Sequence, residues 1–412
     1  MKISTLSIGD ELIFGEVVDS NATHIAARLY GHGIKVQRHL LVGDSEPDIM
    51  DSIEDLAEKS DAVIVTGGLG PTSDDLTSHA AARVTGRRLI VNDEALSHMR
   101  EFSGREGDGF HAATDRQALL PAKSTIIPNP TGTACGFIIT WNGRYLIFLP
   151  GVPSEMARML DDTVIPFIQE RCHQKATILT KTFTLLGIAE ADIDPLVSDV
   201  SRPEEGLSVA FRVRFPLVEV KLRGEGEGEA AVAEVMVKAA ATVRERLKDF
   251  IVAEDGATID DEIARLFREK GVTVALAESC TGGLIAKRLT DVAGSSTYFL
   301  EGMVVYGNAA KTRILKVSEE LIREKGAVSA EVAKAMASGA RKVAGSDIAL
   351  AVTGVAGPGA SEEKPAGMVF IALADGKGCT VKKYHFSGDR RQVRALSACT
   401  ALDWLRRHLL SL

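Results

Sequence analysis

The chain has 412 residues, 45% hydrophobic and 25% charged. That is the balance of ordinary globular domains rather than of a fibrous or disordered chain, and at about 150 residues per domain there is room for two to three. With 48 Lys and Arg against 56 Asp and Glu the net charge is −8, which removes the diffuse basic footprint of a nucleic-acid binder. No run of about 18 apolar residues could span a bilayer, and the first residues reach Asp10 before they could form a signal-peptide core. A cytoplasmic protein is expected, with no membrane partner and no direct nucleic-acid partner. The five cysteines, Cys135, Cys172, Cys280, Cys379 and Cys399, never form C-x-x-C, and the histidines form no H-x-x-x-H pair. This excludes a disulfide framework and a zinc cage but leaves open a hard-metal site made of carboxylates.

In chain order, apolar runs at 3–8, 34–42 and 61–66 alternate with helical patterns at 23–30 and 48–59. This βαβαβ alternation predicts a parallel sheet with ligands at the carboxyl ends of its strands. Closely spaced strands follow at 124–127, 135–141 and 144–149, and then a helix running from Pro153 towards Arg171. Strands at 181–186, 207–215 and 218–223 with a long helix at 229–248 make a small α+β unit. Its RGEGEGE stretch, 223–229, has too many glutamates to hold backbone phosphates as a KH-type RNA loop would and reads as a turn. From Thr258, a Thr-x-x-Asp capping pattern opens a helix at 259–270, and a second α/β pattern runs to a final helix at 390–410. The expected fold class is α/β, with two three-layer α/β domains, 1–172 and 256–412, joined by a small KH-like α+β spacer or dimerisation domain at 173–255.

Both ends of the chain carry Val-Thr-Gly-x-x-Gly-Pro after an apolar strand, at 65–71 and 352–358. Glycines let backbone approach a ligand and expose amides to anions, so each domain is expected to hold a phosphorylated molecule. In the first, Gly67, Gly68 and Gly70 precede Thr72, Asp74 and Asp75, while Asp10, Glu11 and Asp44 follow other strands. Carboxylates beside a phosphate cradle suit a Mg²⁺-like ion; Asp74 and Asp75 also read as caps of a helix starting near Leu76. In the second, ESCTGG (278–283) sets Ser279, Cys280 and Thr281 before a helix, where a hydroxyl is either a nucleophile beside an anion-binding helix end or a simple cap. With no histidine motif nearby, the lysine of YGNAAK, Lys311, is the candidate base and Tyr306 its neighbour. SGDRRQVR (387–394) supplies arginines suited to a phosphate.

The segments IGDELIFGEVVDSN, TGGLGPTSDDLT, NPTGTACG and LPGVPSEM resemble the N-terminal domain of the CinA family, itself similar to molybdopterin-binding domains. AESCTGG, VVYGNAAK, TGVAGPG with KPAG, and FSGDRRQVR resemble the family's C-terminal domain. For the first domain the resemblance implies hydrolysis of ADP-ribose to AMP and ribose 5-phosphate with a divalent metal (Mg, Mn or Co). Asp10, Asp44, Asp74 and Asp75 would be near the metal, and Gly67, Gly68, Gly70 and Thr72 at the substrate. For the last domain it implies deamidation of nicotinamide mononucleotide to nicotinic acid mononucleotide and ammonia, with no cofactor. Ser279 would be the nucleophile and Lys311 the base or activating cation, with Thr353 and Tyr306 orienting the carboxamide. The amides around Thr281, Gly282 and Gly283 would bind the oxyanion, Arg390 or Arg394 would anchor the phosphate, and Cys280, Gly354 and Gly357 would line the site. Cys135 stands where proline is expected, Ser45 where a second aspartate is common, and Gly307 where serine is frequent; Ala360 and Ala366 in the Gly-Pro loop also depart from the family pattern. A homodimer is expected. The competing expectation is a non-enzymatic molybdopterin-like ligand binder or a competence-associated partner protein.

Overall fold

A computed structural model describes residues 1–103, 115–172, 177–361 and 363–412. The expected domain boundary at 172/173 borders residues outside that set, and Glu362 of the Gly-Pro loop also lies outside it. Contacts divide the chain into two compact units, Met1–Ile178 with Glu225–Val232, and Leu179–Gly224 with Ala233–Leu412. The class is α/β as expected, although neither large sheet is wholly parallel.

The first sheet runs in the order Val36–Val42, Ile3–Ile8, Ala62–Thr66, Arg144–Leu149, Gly136–Trp141, Thr125–Ile127. The first four strands are parallel and the last two antiparallel. Because side chains alternate across a strand, Leu6, Val63, Val65 and Phe148 enter one core while Ile3, Ile64, Ile147 and Leu149 enter the other, giving three layers. The helix expected from Pro153 to Arg171 forms, as Pro153–Met159 and Ile165–Arg171 joined without a gap by a π turn at Leu160–Val164. Pro166 explains the π turn, since it removes one backbone donor and its ring crowds the preceding turn.

The last sheet runs Phe299–Val304, Val274–Glu278, Ile348–Gly354, Met368–Ala374, Cys379–His385, its first three strands parallel and its last two antiparallel. Leu276, Leu350 and Val352 face the helices Ile259–Lys270 and Arg390–Leu410. Ala275, Ala277, Ala349 and Ala351 face the other way, where small side chains let the helix Ala330–Ala344 lie close.

A third, four-stranded sheet is ordered Leu207–Arg214, Leu217–Gly226, Thr177–Leu186, Ile251–Glu254. Arg223–Gly226, expected in a turn, is the end of a strand, with Gly224 opposite Leu207. Leu186 and Val252 from this sheet are buried in the same core as Ile259, Leu276 and Leu402.

The expected capping pattern forms at Thr258, whose hydroxyl accepts from the Asp261 amide while the Asp261 carboxylate accepts from the Thr258 amide. Thr258→Ala removes one of these bonds and should lower unfolding stability by about 1 kcal/mol, read as a fall in the urea midpoint.

Candidate active sites at the strand ends

In the last domain, Ser279 follows directly on the buried strand Val274–Glu278 and is itself only 8% exposed. Lys311, on the helix Asn308–Leu315, is 1% exposed, a rare location for a lysine. Its Nζ lies 3.2 Å from Ser279 Oγ and donates to the carbonyls of Val305 and Tyr306, both at 3.0 Å. The spacing of 32 residues between serine and lysine is thus closed into a buried contact.

Ser279, Lys311, Tyr306, Thr353, Gly354 and Gly357 line one cleft of about 270 Å³, together with Cys280 and Arg390. Arg390 stands at its mouth, donating through Nη1 to the Gly357 carbonyl at 2.6 Å and through Nη2 to the Tyr306 hydroxyl at 3.0 Å. Thr353 is buried, and its hydroxyl donates to the Ala327 carbonyl. The two arginines considered for phosphate therefore part company. Arg394 does not line the cleft; its Nη2 donates to the Thr281 carbonyl at 2.7 Å and braces the serine turn.

Two of the three amides expected to bind the oxyanion, those of Gly282 and Gly283, are engaged within the turn. Glu278, buried at the strand end, accepts from the amides of Gly283 and Ile285 at 3.1 Å and of Ala286 at 2.8 Å. The Gly282 amide is engaged by the Ser279 carbonyl. The helix start is thus filled by a carboxylate of the protein, and neither Ser279 nor Thr281 caps it. Thr281 is fully buried, with no hydrogen-bond partner for its hydroxyl. Glu278 was not singled out in the sequence; the available signal was an acidic residue closing an otherwise apolar strand, VALAE. Asn308 and Ser361 also line the cleft without having been singled out.

Burial pushes the Cys280 thiol up to about 12, against its own and the Thr281 amide. Since only the thiolate is nucleophilic, Cys280 packs the cleft wall as a neutral thiol.

In the first domain a cleft of about 450 Å³ opens at the ends of the parallel strands. Gly67 and Gly68 line it with positive φ; a Cβ on Gly67 would lie 2.2 Å from the Ile8 carbonyl oxygen, so two strand ends meet there with no room for a side chain. Asp44, Asp74 and Asp75 line it, joined by Glu11 and by Glu155 of LPGVPSEM, and among the described residues no Lys or Arg does. Asp10 does not line the cleft but is tied to Asp44 by reciprocal bonds, each carboxylate accepting from the other's amide at 2.9 and 3.1 Å. Burial pushes the Asp44 carboxyl up, helped by the like charges of Asp10, Glu11 and Asp74 and opposed by the Asp10 amide.

Asp75 is committed differently. It accepts from the amides of Gly70 and Thr72, both at 2.8 Å, and from the Thr72 hydroxyl at 2.5 Å. It therefore closes the glycine loop, and neither Asp74 nor Asp75 caps the helix Thr77–Val84. Thr72 holds Asp75 and stays out of the cleft. Among the described residues no three acidic, His or Cys groups form a ready-made metal cage.

Two α/β domains each carry a polar cleft at the ends of parallel strands, one built on serine and lysine and the other on glycines and carboxylates, and these are the chain's two candidate sites. Family models match throughout: a probable molybdopterin binding domain at residues 4–170, a damage-inducible protein CinA KH domain at 180–253, and a CinA C-terminal domain at 256–409. A CinA-like protein of Geotalea uraniireducens is 58% identical over 413 residues, spanning 100% of this chain and 98% of its own. One of Geobacter sulfurreducens is 57% identical, with 100% of both chains covered. The solved CinA superfamily protein of Klebsiella pneumoniae is 32% identical, covering 37% of this chain and 97% of its own, with a TM-score of 0.37. The chain belongs to the CinA family. Among the described residues no helix is long and apolar enough to cross a membrane.

Two outcomes follow from this geometry. Glu278→Leu strands buried amides and should cost on the order of 3 kcal/mol, measured by urea unfolding. Iodoacetamide at pH 8 should leave Cys280 unmodified in the folded protein, as peptide mass mapping would show.

Proposed function

We propose that the chain is a hydrolase with two pyridine-nucleotide sites: the C-terminal cleft deamidates nicotinamide mononucleotide, and the N-terminal cleft hydrolyses ADP-ribose to AMP and ribose 5-phosphate. The observation that carries the first half is the buried Lys311 Nζ 3.2 Å from Ser279 Oγ.

Nζ donates to the carbonyls of Val305 and Tyr306 and lies within reach of Ser279 Oγ, so that as a neutral amine it is placed to take the serine proton. Oγ attacks the carboxamide carbon as its proton passes to Nζ. The resulting ammonium stands beside the developing oxyanion, a role the engaged Gly282 and Gly283 amides are not free to fill. Nζ returns the proton to the departing ammonia, leaving an acyl-serine that water hydrolyses with the same base. Arg390, fixed by Gly357 and Tyr306 at the mouth, retains donors for the 5′-phosphate.

For the second half, the donor set itself supports a cation. Carboxylates of Glu11, Asp44, Asp74, Asp75 and Glu155 line the N-terminal cleft, with no basic side chain among its described lining residues, and a cation set between them and a phosphorylated substrate would offset their mutual repulsion. A divalent ion held by one or two carboxylates and completed by substrate phosphates suits residues that do not form a cage by themselves. Asp44 and Asp74 are the ligands proposed, with Asp10 orienting Asp44. When bound, the metal would neutralise phosphate charge and activate water. Gly67 and Gly68 keep the floor open for the phosphates, and Asp75 holds the loop rather than the ion.

Ser279→Ala and Lys311→Met should each lower ammonia release from nicotinamide mononucleotide by at least about a thousandfold and leave AMP formation from ADP-ribose intact. EDTA should do the reverse. Wild-type ammonia release by Ser279→Ala would overturn the serine mechanism, and AMP formation that survives EDTA would overturn the metal.

A further inference from the structure

Arg390 and Arg394 stand one turn apart at the start of the helix Arg390–Leu410. A capping box fixes that start: the Asp389 carboxylate accepts from the Gln392 amide at 2.8 Å, and the Gln392 side chain accepts from the Asp389 amide at 2.9 Å. From this common base one arginine reaches the mouth of the C-terminal cleft, and the other reaches the backbone that carries the nucleophile.

That backbone has little stiffness of its own. Gly282 and Gly283, at φ +61° and +89°, are both left-handed, and glycine enters and leaves that region without the steric barrier that would hold another residue in place. Hydrogen bonds must therefore fix the turn. On its amide side they come from within: the Ser279 amide donates to the Val352 carbonyl at 2.9 Å, the Gly282 amide to the Ser279 carbonyl at 3.1 Å, and the Gly283 amide to Glu278. On its carbonyl side the Leu284 amide gives Thr281 a long bond of 3.3 Å. The short bond there comes from Arg394, whose Nη2 donates to the same carbonyl at 2.7 Å. A charged donor makes this the stronger of the two. A Cβ on Gly282 would lie 3.4 Å from that Nη2, so the guanidinium also packs against the glycine pair.

We propose that Arg394 is a positioning residue of the C-terminal site: by holding the Thr281 carbonyl it sets Ser279 Oγ against Lys311 Nζ without meeting the substrate, whose cleft it does not line. The proposal rests on the deamidation reading. The two arginines then divide the work of one helix start, Arg390 meeting the phosphate and Arg394 aligning the nucleophile. Alignment matters for rate rather than for binding, because a displacement of about 1 Å at the attacking atom costs on the order of a hundredfold.

The test is ammonia release by the whole protein from nicotinamide mononucleotide and from nicotinamide riboside, the same molecule without its phosphate. Rates are referred to the folded fraction found by urea unfolding. Arg394→Met should lower kcat on the order of a hundredfold for both substrates and shift KM by less than about twofold. Arg390→Met should instead raise KM for the mononucleotide. Arg394→Lys, which keeps a cationic donor, should recover at least about tenfold of the lost kcat, and it carries the test if the Met variant folds poorly. An unchanged kcat in Arg394→Met, a rise in KM confined to the phosphorylated substrate, or a loss that lysine does not relieve overturns the positioning role and leaves the deamidase reading standing. If the wild type releases ammonia from neither substrate, that reading falls and the role of Arg394 falls with it.

Discussion

Where a parallel strand ends, the ladder of backbone hydrogen bonds ends too, and the amides of the following turn must find other acceptors. In both α/β domains a carboxylate of the same turn supplies them. Glu278 accepts from Gly283, Ile285 and Ala286; Asp75 accepts from Gly70 and Thr72. The rest of each site is arranged around this internal satisfaction. A glycine turn that neutralises itself is rigid, but it is no longer an electropositive cradle, so any anionic ligand must be met by charge from elsewhere.

The two domains meet that need in opposite ways. The C-terminal cleft has a cationic group of its own, Arg390 at the mouth, with Lys311 beneath as the base. The N-terminal cleft has carboxylates and no cationic side chain among its described lining residues, which is why a divalent ion is proposed there. The repeated Val-Thr-Gly-x-x-Gly-Pro sequence therefore does not serve one chemistry twice. A side chain on Gly67 of the first copy would meet the Ile8 carbonyl, whereas one on Gly354 of the second would meet Val369 and Met368, so each glycine makes room for a different neighbour.

Much of this was legible in the residues, and the remainder was hidden for identifiable reasons. Alternating apolar runs placed both large sheets, because buried strands and amphipathic helices carry distinct periods. Ser279 and Lys311 could be paired by motif, but the burial that gives the pair its chemistry depends on how the strand and the helix dock. Arg390 and Arg394 were indistinguishable in sequence, being one helical turn apart; only the packing of that helix sends one into the cleft and the other to the Thr281 carbonyl. Asp74 and Asp75 were likewise equivalent until the loop closed on Asp75. The π turn at Leu160–Val164 could have been read from Pro166, where the apolar period masked a missing donor.

The brace from Arg394 to the Thr281 carbonyl spans 113 residues of sequence. As the chain leaves the ribosome, the strand and turn bearing Ser279 emerge well before the helix that steadies them. Arg390, which stands over the cleft, arrives on that same helix. The nucleophile is thus synthesised early but fixed late, and a nascent chain carries its serine turn unbraced until the whole domain has been made.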